Sequence, residues 1–191
     1  MKHWIFVALL CMVASSLWAD TVANPVKDGG KIYFKNKKNK LSNSVALSTL
    51  PRIEGENPGV RIDCAQGEDI AYFEWGLPRA KVLPKFQKAE FQVNMLLPEN
   101  HPGRAVNLRL IDVDGEIFQF RTSIPATGDG KWHDLLLNAD AENPRFVASW
   151  GGGNKADKKL TMPVKLIGIT VDLRAGSGEL GLGLISCRVG D

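Results

Sequence analysis

Side chains with paired hydrogen-bonding groups recur at alternate positions in three stretches of this chain: Gln92 and Asn94, Asn107 and Arg109, Gln119 and Arg121. Planar amides and guanidinium forks match the spacing of vicinal hydroxyls on a polyol, and an aromatic ring nearby can cover the flat side of such a ligand. If the three stretches are neighbouring strands, these residues form one polar patch. A solvated sheet face would also be polar, but it leans to Thr, Lys and Glu. The second unusual segment is Trp150-Gly151-Gly152-Gly153-Asn154, followed by Lys155, Asp157, Lys158 and Lys159. Three glycines let a backbone take positive φ and come close to something. A phosphate loop would need a Lys-Ser/Thr and a following helix, and Pro163 with the strand after it offers neither. Two readings stay open: Trp150 and Asn154 add to the polar patch from a neighbouring loop, or the loop is flexible and Trp150 anchors it in the core.

Hydrolytic motifs are absent. There is no GxSxG elbow and no HExxH, and beyond residue 19 the histidines are His101 and His133, far apart. Asp112-Val-Asp-Gly115-Glu116 begins like a calcium loop but lacks the bidentate Glu at the required distance, so it reads as a hairpin turn. No cofactor is expected, although a structural calcium held by carbonyls and acids such as Glu68, Asp69 or Asp191 stays open. For a polysaccharide lyase the base would come from Tyr33, Tyr72, His101 or His133, none of which lies in a recognisable motif.

The elements that must position these residues are strands. Glu90–Leu97 alternates with Phe91, Val93, Met95 and Leu97 on one face. Ala105–Leu110 places Val106, Leu108 and Leu110 together, and Asp114-Gly115 turns the chain into Glu116–Arg121, where Phe118 and Phe120 share a face. Further strands fit Ser44–Thr49, Gly59–Cys64, Asp69–Trp75, Trp132–Leu137, Arg145–Trp150, Val164–Leu173 and Leu180–Val189. No segment sustains a 3.6-residue period. Many short strands joined by Gly, Pro and Asp turns predict an all-β antiparallel sandwich, a jelly roll, over residues 44–191.

Residues 1–19 have a positive Lys2, an apolar stretch from Trp4 to Ala14, and small residues ending at Ala19. This is the layout of a secretory signal peptide cut after Ala19. The predicted location is secreted or periplasmic, and removing nineteen residues from 191 leaves 172. Residues 20–43 are a lysine-rich lead-in, with Lys27, Lys31, Lys35, Lys37, Lys38 and Lys40 suited to a surface polyanion or an envelope protein. The whole-chain charge of +3 argues against a nucleic-acid binder. Beyond the leader no apolar run approaches the roughly 18 residues of a membrane span. Export gives the two remaining cysteines a meaning: Cys64 and Cys187, both in β-like segments, are expected to form one disulfide.

Taken in order, Gly59-Val-Arg-Ile-Asp63, Asn107 to Phe120, Gly130-Lys-Trp132-His133, Trp150 to Asn154, Leu166 to Val171 and Gly181 to Ser186 resemble the galactose-binding-like β-sandwich domains that accompany secreted bacterial glycoside hydrolases. The resemblance implies a jelly roll, an exported location and a carbohydrate-binding accessory role. The leading expectation is a non-catalytic module that recognises a short glycan or chain end through Gln92, Asn94, Asn107, Arg109, Gln119, Arg121, Trp150 and Asn154. The alternatives are a structural or protein-binding module of the cell envelope and, third, a small polysaccharide lyase.

Overall fold

The apolar alternation folds into two facing antiparallel sheets. The computed structural model describes residues 20–36, 38, 41–46, 52–53, 59–64, 70–142, 144–174 and 178–190, with backbone alone for 41–46 and 52–53. The leader 1–19, Lys37, Lys40, Glu68, Asp69 and Asp191 lie outside them.

In chain order the elements are β1 (Asp20–Ala23), α1 (Pro25–Asp28), β2 (Lys31–Asn36), β3 (Leu41–Ala46), β4 (Arg52–Ile53), β5 (Gly59–Cys64), β6 (Ile70–Val82), β7 (Lys88–Leu97), β8 (Gly103–Ile111), β9 (Glu116–Ser123), β10 (Lys131–Asp140), β11 (Ala148–Gly151), β12 (Lys165–Leu173) and β13 (Gly178–Gly190). One sheet has six strands, ordered β10-β7-β13-β5-β4 with β1 also on β13. The other has seven, ordered β11-β9-β8-β12-β6-β2-β3. The fold is an all-β antiparallel jelly-roll sandwich.

The core lies between the sheets, where Phe91, Val93, Met95 and Leu97 of β7 meet Val106, Leu108, Leu110, Phe118 and Phe120 of β8 and β9. Each such side chain taken fully from water contributes about 1.5–3 kcal/mol. Trp75, the largest buried side chain, donates its indole N–H to the carbonyl of Gly29 at 2.9 Å. That bond ties the core to the turn after α1. Asn24 caps α1 by accepting from the N–H groups of Val26 and Lys27.

Two expectations change here. The stretch read as a lead-in supplies sandwich strands: β1 pairs with β13, and β2 lies between β6 and β3. Ile32 and Phe34 alternate inward from it, so its exposed lysines had masked a half-buried strand.

The expected disulfide is absent, and Cys64 and Cys187 are free, buried thiols. Cys64 sits opposite Gly178 at one end of β13, whereas Cys187 lies nine positions further along that strand. At roughly 3.3 Å per residue the two are about 30 Å apart, against a limit near 7 Å for bridged Cα atoms. Burial, with the Asp63 charge beside it, pushes the Cys64 thiol up to about 12, and burial with Asp20 pushes Cys187 up to about 11. Both thiols should therefore resist iodoacetamide in the native protein and react once it is unfolded, and reductant should leave the melting temperature unchanged. Mass spectrometry of alkylated native and denatured samples checks this, and a bridged peptide pair would refute it.

Candidate functional site

The expected single patch divides between the two sheets. Gln92 and Asn94 belong to β7 and face outward from the six-stranded sheet, opposite Leu136 and Asp134 of β10. Asn107 and Arg109 on β8 pair directly with Arg121 and Gln119 on β9 in the seven-stranded sheet. The chain crosses the sandwich between β7 and β8 through Pro98-Glu-Asn-His-Pro102. Both sheets bury one face, so residue alternation is the same on either side of that crossing. The turn chemistry was the available signal: Asp114-Gly115 makes a hairpin, whereas two prolines four positions apart make an arch.

On the seven-stranded sheet a polar network runs across the outer face. Glu74 of β6 pairs with Lys35 of β2 at 2.7 Å and with Arg109 at 2.9 Å. Arg109 also donates through Nε to Gln119 at 3.1 Å, and its guanidinium lies 5.2 Å from the centre of the Trp150 ring. Next to this, Arg121 pairs with Asp172 at 3.0 Å. Arg109 is in register with Gly168 of β12, and Gly168 with Gly76 of β6, so Arg109 crosses a row without side chains and reaches Glu74 diagonally, two residues along β6. Gly168 has φ +151, and a Cβ there would sit 2.2 Å from the Trp75 carbonyl oxygen, so the position admits only glycine. Gly76, its neighbour on β6, leaves open space above the sheet. Tyr33 and Tyr72 lie on the same face, in register with Glu74 and Lys35 respectively.

Trp150 is not the core anchor of a flexible loop. It is 41% exposed at the edge of this face, in register with Ile117. The glycine segment after it is held against the β8–β9 hairpin: Gly152 donates its N–H to the Gly115 carbonyl at 2.9 Å, and a Cβ on Gly151 would lie 2.6 Å from the same oxygen. Two buried carboxylates fix the rest. Glu116 accepts from the N–H groups of Asp157 (3.1 Å) and Lys158 (3.0 Å), and Asp112 accepts from those of Asp114, Glu116 and Thr161. Asp112 and Glu116 therefore act as turn and loop anchors, as the hairpin reading of that motif expects.

The other expected residues are placed as follows. Asn107 is fully buried, and its amide donates to Thr170 (3.1 Å) and Asp172 (3.2 Å), so it braces the partner of Arg121 from beneath. Asn154 is exposed in a 3-10 turn, away from the network. Asn94 donates to Asp134 at 2.8 Å on the opposite side of the molecule. Of the residues considered as lyase bases, Tyr33 and Tyr72 share the Arg109 face. His101 is buried, where desolvation holds it below the usual imidazole range, and His133 is paired with Asp129 at 2.7 Å. Among the described residues no group of three His, Cys, Asp or Glu side chains could hold a metal ion, and no helix is long and apolar enough to cross a membrane. Sequence reasoning missed Glu74, Lys35 and Asp172. Each sits singly in an apolar or basic stretch and gains its meaning from the strand beside it.

Burial raises the Glu74 carboxyl, but the hydrogen bond from Lys35 and the charges of Arg109 and Lys35 outweigh it and hold the group below its usual range. A carboxyl depressed on folding contributes stability that is fully present above its unfolded pKa, about 4.3, and is lost as pH falls through the folded value. Glu74→Gln should cost about 1–3 kcal/mol at pH 7. That penalty should shrink steadily as pH drops below about 4, as urea unfolding at pH 7 and pH 3 would measure. A penalty that does not depend on pH would show that Glu74 acts through packing alone.

Comparison with known proteins places the fold. No family model and no curated protein matches the chain. Among solved structures, an exo-β-agarase matches with a TM-score of 0.51 at 12% identity, over 91% of this chain and 25% of that one. PfGH50B matches with a TM-score of 0.45 at 17% identity, over 72% and 21%. A carbohydrate-binding module of the β-sandwich superfamily matches with a TM-score of 0.35 at 12% identity, over 85% and 75%. The chain thus spans a quarter or less of the first two proteins. The exo-β-agarase match establishes a shared β-sandwich architecture.

Proposed function

We propose that this protein is an exported, non-catalytic module that binds a short glycan or chain end on the outer face of the seven-stranded sheet. The observation that carries the reading is the Trp150–Arg109 pair. An aromatic ring stays 41% exposed while a guanidinium 5.2 Å from its centre, itself tied to Glu74 and Gln119, holds it at the margin of a polar surface. A pyranose stacked on that ring would bring its hydroxyls to Gln119 and Arg121, and the open space above Gly76 leaves room for further sugar units. The four expected residues Arg109, Gln119, Arg121 and Trp150 carry the site. Asn107 supports it from below, whereas Gln92, Asn94 and Asn154 lie elsewhere. Fold kinship with an exo-β-agarase makes agarose-derived oligosaccharides the natural first ligands to try.

Export through the 1–19 leader belongs to the same proposal. Asp20, the residue after the expected cut, opens β1 opposite Cys187. Mass spectrometry of the exported protein should therefore give an N-terminus at Asp20.

A glycan array followed by calorimetry with agaro-oligosaccharides tests the binding. Trp150→Ala should weaken binding about tenfold or more, equivalent to about 1.4 kcal/mol, and Gln119→Ala should weaken it less, with melting temperatures near that of the parent protein. Binding that is indifferent to Trp150→Ala, or no binding across the array, would overturn the assignment.

A further inference from the structure

On the opposite sheet, β10, β7 and β13 end together around a cleft of about 500 Å³ that the proposed glycan surface does not use. Three rungs of the sheet line it: Asp140, Lys88 and Gly190 on the last, the apolar Ala139, Ala89 and Val189 on the one before, and Asn138, Glu90 and Arg188 on the third. Arg145 lines it from the segment leading to β11. The charges there are unevenly matched. Arg188 is paired with Glu90, and Asp140 accepts the N–H of Glu142 at 3.0 Å, while the side chains of Lys88 and Arg145 make no ion pair or hydrogen bond among the described residues. Two cations without partners therefore border a hollow that also presents the amide of Asn138. Gly190 contributes no side chain to it, and a Cβ there would meet only the Lys88 carbonyl oxygen at 3.8 Å, so sterics do not require the glycine. The position keeps the cleft open.

We infer that this cleft is a second binding site, for an anionic sugar unit. Lys88 and Arg145 would hold its carboxylate or sulfate, and Asn138 would bond the hydroxyls beside the charged group. A ligand bearing both a negative charge and hydroxyls can meet the two cations and the Asn138 amide together, whereas a neutral sugar would make no charge-assisted bond to Lys88 or Arg145.

The test is calorimetry on the intact protein at low salt and at 0.3 M NaCl. The ligands are an oligogalacturonate, a sulfated galactan oligosaccharide and a neutral agaro-oligosaccharide. The expected result is binding of at least one anionic oligosaccharide, weakened by salt. Whichever of the two binds identifies the carboxylate or the sulfate as the natural group. Lys88→Ala combined with Arg145→Ala should reduce it at least tenfold, and both residues are exposed enough for the variant to fold. Gly190→Phe keeps every charge and fills the hollow, so it should cause a similar loss. The proposal is overturned if neither anionic ligand binds, if the neutral ligand binds the cleft equally well, or if binding survives both variants. Anionic binding that depends on Trp150 instead would place the ligand on the other sheet and also overturn it. Neutral-sugar binding through Trp150 is read by separate ligands and variants, so either assignment can fail without the other.

Discussion

Glu74 accepts from Lys35 on one side and from Arg109 on the other, and Arg109 carries the link on to Gln119 and the Trp150 ring. One half-buried carboxylate thus connects strands from β2 to β11 across the outer face. The link crosses β12 at Gly168, the residue without a side chain in register with Arg109, and reaches Glu74 diagonally. Gly168 is itself imposed by the neighbouring strand β6, where the Trp75 carbonyl oxygen comes too close for any Cβ. The backbone of β6 at Trp75 therefore shapes the polar surface beside it. In a partly buried setting such a network gains from weak solvent screening, and it would be costly to leave with one partner missing.

A similar logic fixes Trp150. An exposed tryptophan on a mobile loop would lose conformational entropy on meeting a ligand. Here the glycine segment after it is seated on the Gly115 carbonyl, and the buried carboxylates of Glu116 and Asp112 hold the returning chain through backbone N–H groups. The glycines serve close packing of loop on hairpin, and the ordering cost is met during folding. The third tryptophan left in the sandwich, Trp132, lies on the other sheet, where side chains at Gly59 and Gly183 would collide with its ring.

The two outer faces therefore differ in character. One carries a connected network with an aromatic margin, and the other carries a cleft bordered by the Lys88 and Arg145 side chains. A single small fold can in this way present two chemistries on opposite sides, because the inward residues alone maintain the core and the outward positions remain independent of one another.

Much of this was legible in the residues. The strands from Gly59 onward, the inward sets on β7, β8 and β9, and the Asp114-Gly115 hairpin followed from period-two alternation and turn chemistry, which are local properties of the chain. β2 was missed because its lysines hide the inward Ile32 and Phe34. Pairing across the molecule was out of reach, since alternation tells a residue which way to face but never which sheet it joins. That decision placed Gln92 and Asn94 away from Arg109, separated Cys64 from Cys187 by most of the length of β13, and brought Glu74 and Lys35 to the guanidinium that steadies Trp150. The local pattern of apolar and polar residues fixed the strands and their buried faces. Strand order, which depends on how whole sheets bury area against each other, decided which polar groups meet.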